Sequence, residues 1–63
     1  MYEKFETLLK ERGITAYQVS KDTGIATATL TEWKNGKYTP KLNKLMILAD
    51  YFEVPLEHFI RSN

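Results

Sequence analysis

Apolar positions recur three and four residues apart through most of this chain, and nowhere do they alternate long enough to make a strand. Phe5, Leu8 and Leu9 set the first stripe and predict a helix from about Tyr2 to Arg12. Gly13 then falls where a left-handed C-terminal cap belongs. In "TAYQ", Thr15 is placed to cap a second helix, and Gln18 three residues on completes a capping box. That helix runs roughly from Ala16 to Thr23, with Ala16, Val19 and, at its edge, Ser20 inward; Gly24 ends it. A third helix, about Thr27 to Lys34, turns Leu30 and Trp33 inward and stops at Asn35-Gly36. Thr39-Pro40 punctuates the loop before a fourth helix, about Lys41 to Phe52, whose stripe is Leu42, Leu45, Leu48, Ala49 and Phe52, with Ile47 off it. "EVP" breaks this helix, and "LEHFI" predicts a short fifth one with Leu56, Phe59 and Ile60 as its apolar residues. The expectation is an all-α, compact five-helix fold, a single domain over residues 1–63 with no repeat, linker or low-complexity segment.

Composition narrows the function. Sixty-three residues are near the lower limit for a domain that folds without staples. The absence of cysteine excludes disulfides and thiolate metal sites, and fits a reducing compartment. A lone His58 cannot assemble a histidine metal site and is read as a surface residue, so neither metal nor cofactor is expected. The longest apolar run, Leu45 to Ala49, is far too short to span a membrane, and "MYEKFETLLKERG" lacks the apolar centre of a signal peptide. A soluble cytoplasmic protein, or a domain cut from one, is expected.

The net charge of +1 hides an asymmetry. Residues 1–24 balance to zero, and the segment from 45 to 63, with Arg61 against Asp50, Glu53 and Glu57, carries −2. Between them, Lys34, Lys37, Lys41 and Lys44 face Glu32 alone, a sum of +3. The positive charge is thus focused on the third helix and the loop after it, as a polyanionic partner would need.

The segment "YQVSKDTGIATATLTEWKNGK" resembles the helix-turn-helix of the phage repressor/Cro-type DNA-binding family, the xenobiotic-response-element-like transcriptional regulators. The likeness continues through "TPKLNKLMILADYFEVPLEHFI" and covers about Phe5 to Ile60. It implies a repressor-like five-helix fold that binds double-stranded DNA, on two-fold sites, with the third helix in the major groove. Two positions depart from the family pattern. Ala16 stands where the family often has a glutamine that braces the recognition helix and reaches a phosphate. Ala26 stands where the family favours a Ser or Thr cap; Thr27 takes that role if the helix starts one residue later.

With Leu30 and Trp33 inward, helical geometry turns Thr27, Ala28, Thr31 and Glu32 outward, and these positions match the family's base readers. Their chemistry fits: Ala28 and the threonine methyls can touch thymine methyls, the hydroxyls donate or accept, and Glu32 can accept from cytosine N4. Small side chains also let the helix backbone approach the groove floor. Thr29, near the seam between helices, is read as an ordinary surface residue or a packing one, and Trp33, tempting as a stacking platform, as core. Lys34, Asn35, Lys37, Tyr38 and Lys41 follow the helix and are expected beside the sugar-phosphate backbone, Tyr38 either bonding a phosphate or packing on the loop. Tyr17, outward near the start of the second helix, is also within reach of a phosphate, with plain surface placement as the alternative. Lys44 is read as plain surface.

An enzyme is not expected, since no spacing pairs carboxylates around a base or metal. The serious rival is a protein-interaction module or antitoxin-type regulator on the same fold, because fold does not fix function. The basic, threonine-rich third helix is the feature such a module would not need. The chain is also readable as the DNA-binding half of a longer repressor. In solution a monomer or weak homodimer that pairs on DNA is expected.

Overall fold

The computed structural model describes residues 1–60; the charge of Arg61 and the expected end of the domain at residue 63 lie outside them. Five helices follow in order: α1 Tyr2–Arg12, α2 Ala16–Thr23, α3 Thr27–Lys34, α4 Leu42–Phe52 and α5 Glu57–Ile60. The fold is all-α, as the periodicity predicts.

Every helix contributes to one core. Phe5 and Leu8 enter it from α1, Val19 from α2, Leu30 and Trp33 from α3, Leu45, Leu48, Ala49 and Phe52 from α4, and Phe59 from α5. Phe5 sits among aromatic rings, with centroids 5.5 Å from Tyr2, 5.3 Å from Trp33 and 5.9 Å from Phe52. These pairs are tilted or edge-on, the arrangements that ring quadrupoles favour. Trp33 is therefore a core residue, touching Tyr2 edge-on and Phe59 at 6.5 Å.

Two corrections concern apolar residues near helix ends. Leu42, expected on the buried stripe, is 58% exposed at the first residue of α4, and the stripe enters the core only from Leu45. Ile60, expected to help cover the core, is 52% exposed; Phe59 fills that role and Leu56 packs half-buried against it. Ile47 lies outside the core, as its angular position predicts. His58 is half-buried, edge-on to Phe59, rather than free on the surface.

The breaks between helices have local causes. Gly13 takes φ 66°, and the paired bonds Gly13 N–H to Lys10 and Ile14 N–H to Leu9 close α1. The same pair closes α4, from Glu53 N–H to Asp50 and Val54 N–H to Ala49. There Glu53 is the left-handed residue, at φ 59°, so "EVP" ends the helix through a glutamate in a glycine-type conformation. Arg12 ties these two ends together: its guanidinium donates to the Phe52 carbonyl at 2.5 Å and lies 5.7 Å from that ring's centroid. A cation there complements the negative end of α4.

Thr15 caps α2 as expected, accepting from the Gln18 N–H at 3.2 Å. The reciprocal half of the capping box is absent, because the Gln18 amide donates to Asp22 at 2.9 Å instead. The other Asp22 oxygen accepts from the Tyr51 hydroxyl at 2.5 Å, linking α2 to α4. Those two donors, Tyr51 first, hold the Asp22 carboxyl below its ordinary pKa, and the same bond pushes the Tyr51 phenol up.

Candidate nucleic-acid interface

The turn between α2 and α3 is three residues long, Gly24-Ile25-Ala26, and is fixed from both sides. Gly24 adopts φ 81° and donates to the Ser20 carbonyl at 2.9 Å. Ile25 points into the core, 5% exposed. Two hydroxyls clamp the rest: Ser20 donates to the Ile25 carbonyl at 2.5 Å, and Thr23 donates to Val19 at 2.7 Å while accepting from the Ile25 N–H at 3.3 Å. These contacts set where α3 leaves the turn. Sequence reasoning gave Ser20 no such role and overlooked Thr23; the available signal was a pair of hydroxyl residues in the last turn before a glycine, where side chains bond back to the backbone.

Ala26 occupies the N-cap of α3, in extended conformation, with no side-chain bond to the first turn. The helix therefore does not start one residue late, and Thr27 is its first residue. Because Ala26 is exposed, Ala26→Ser adds a capping oxygen without crowding, and should stabilise the fold by ~1 kcal/mol. Thermal unfolding of both proteins checks this; an unchanged midpoint would contradict the cap geometry.

Along α3, Leu30 and Trp33 are buried and Thr29 is half-buried at the seam. Thr27, Ala28, Thr31 and Glu32 are all exposed and share the opposite side of the helix. At its end Asn35 is the C-cap, its N–H bonded to Thr31 at 3.0 Å. Gly36 turns the chain at φ 75°, and the Lys37 N–H returns to the Glu32 carbonyl at 2.9 Å. The loop thus folds back against the last turn of α3, and the buried Pro40 pins its far end.

Lys34, Asn35, Lys37 and Lys41 are exposed on this loop and its flanks, and Tyr38 is half-buried. Among the described residues none of Lys34, Lys37 and Lys41 forms an ion pair, and neither does Glu32. Tyr17 stands 67% exposed in the first turn of α2, while Ala16 beside it packs against the core. Lys44, read as plain surface, is instead half-buried on α4.

Two short helices joined by a three-residue, glycine-containing turn, the second presenting a polar face, define a helix-turn-helix domain. A family model described as the Cro/C1-type helix-turn-helix DNA-binding domain matches residues 4–61, and the chain belongs to that family. It is thus a DNA-binding domain of the transcription-regulator class. No curated protein and no solved structure matches the chain. Among the described residues, no helix is long and apolar enough to cross a membrane.

Proposed function

We propose that this chain is a single sequence-specific, double-stranded-DNA-binding domain of a phage repressor-like regulator, acting in the cytoplasm without catalysis or cofactor. α3 enters the major groove, where Thr27, Ala28, Thr31 and Glu32 meet base edges. Lys34, Asn35, Lys37, Tyr38 and Lys41, with Tyr17 from α2, grip the phosphates on either side. The observation that carries this reading is the division of α3 into a buried face and an exposed small-residue face, followed directly by three lysines without ion-pair partners. A protein-interaction module would have no use for those cations. Two copies bind a two-fold operator with half-sites about one helical turn, ~10 bp, apart. In this reading the chain is a monomer or weak dimer until DNA brings two copies together.

The lysines provide the test. Lys34→Ala, Lys37→Ala and Lys41→Ala should each weaken binding to all duplexes about equally. Each should also reduce the magnitude of the log–log salt slope by ~0.9, as expected for one lost phosphate contact. Binding titrations across a salt series decide it. A loss that depends strongly on sequence, or an unchanged slope, would remove that lysine from the backbone set. A wild-type protein that fails to bind any duplex at low salt would favour the interaction-module reading.

A further inference from the structure

The outer face of α4 carries a second pattern that neither the core nor the DNA face uses. Asn43, Met46, Ile47 and Asp50 line a shallow groove there. Met46 is 54% and Ile47 42% exposed. The spacing is i, i+3, i+4, i+7, the seam that a helix presents to another helix. Neither the Asn43 nor the Asp50 side chain has a hydrogen-bond partner among the described residues.

This stripe reads polar, apolar, apolar, polar, so it is complementary to itself when run in the opposite direction. We propose that two copies of the chain pair through α4, antiparallel about a two-fold axis lying between Met46 and Ile47. In that register Met46 of one copy packs on Ile47 of the other, and the Asn43 amide donates to the Asp50 carboxylate of the other, twice by symmetry. The charges at the helix ends agree with this direction. Lys41 and Lys44 mark the N-terminal end, and Asp50 and Glu53 the C-terminal end, so antiparallel pairing opposes unlike charges. A parallel pair would set Asp50 against Asp50.

Size fixes the strength. A helix of this length spans ~16 Å, so a seam ~10 Å wide covers a few hundred Å² per copy at most. A stable interface needs ~800 Å² per partner. The pair is therefore weak in solution and becomes populated when adjacent half-sites raise the effective concentration. This names the surface of the pairing proposed above, and rests on that pairing.

The chain has no cysteine, which permits a clean test of register without DNA. Asn43→Cys and Asp50→Cys proteins, one of them tagged, would be mixed in a glutathione redox buffer. The mixed disulfide should exceed each self-disulfide at least tenfold. Both positions are exposed, so folding is not at stake. In parallel, sedimentation at increasing concentration should show wild type associating weakly and Ile47→Glu remaining monomeric with an unchanged melting curve. A mixed disulfide no more abundant than the self-disulfides, or Ile47→Glu sedimenting as wild type does, would overturn the proposal. Failure of α3 to read DNA would alter neither result.

Discussion

Trp33→Ala is expected to remove at least a third of the fold's stability, and to lose DNA binding only as far as the protein unfolds. Trp33 is 5% exposed and packed against Tyr2, Phe5 and Phe59. Truncating a buried aromatic side chain costs ~3–5 kcal/mol. A domain of this length has a total stability of only roughly 3–9 kcal/mol. The substitution therefore removes between a third and all of it. Trp33→Phe retains most of the packing, so it should stay folded, melt lower, and bind DNA nearly as well as wild type once folded. Circular dichroism melts together with binding titrations separate this from a base-stacking role. Were Trp33 a stacking platform, Trp33→Ala would keep the wild-type melting midpoint and Trp33→Phe would lose affinity.

Glu32→Gln is expected to change which base is preferred at one operator position while raising affinity for random duplex. A carboxylate on the DNA face repels phosphates, and Glu32 has no ion-pair partner within the described residues to neutralise it. The compensation available is a hydrogen bond from cytosine N4, a donor with no adjacent acceptor on the same base. Adenine offers N6 beside the N7 acceptor, which opposes the second carboxylate oxygen. Glu32 should therefore favour cytosine at that position by ~1–3 kcal/mol. The glutamine amide can donate to N7 while accepting from N6, so its preference moves to adenine, and other positions are unaffected. Titrating both proteins against all four bases at each half-site position checks this. Identical rankings would mean that Glu32 reads nothing and that Thr27, Ala28 and Thr31 carry the discrimination.

Much of the fold was legible because its cues are local. Thr15, Gly13, Gly24 and Asn35-Gly36 bound helices that form over the expected residues, since caps and left-handed turns depend on immediate neighbours. What periodicity misjudged was reach. It gives Leu42 an angle near the buried side of α4, but not whether another helix extends far enough to cover it. Ile60, in the last turn of a four-residue helix, fails in the same way. The capping box was half right because Asp22, one turn along, accepts from the Gln18 amide and so draws that side chain away from the Thr15 N–H. Glu53 gave no warning, since left-handed ends are normally flagged by glycine.

The two faces of α3 were legible because a large aromatic and a leucine three residues apart leave one way to orient the helix. The Ser20 and Thr23 clamp was not, because its partners are backbone atoms brought together only by the turn. Nor could charge alone show that Lys34, Lys37 and Lys41 stand without acidic partners; that depends on where Glu32, Asp50 and Glu53 come to lie.

The most direct test of DNA reading by α3 is an amide-resolved NMR titration with a duplex selected from a random library. Perturbations should concentrate on Thr27, Ala28, Thr31 and Glu32, on the loop from Lys34 to Lys41, and on Tyr17, with one protein per half-site and a second, smaller set on the outer face of α4 where the copies pair. Perturbations confined to α4 and α5 with α3 unmoved, or selection that enriches no duplex, would contradict it.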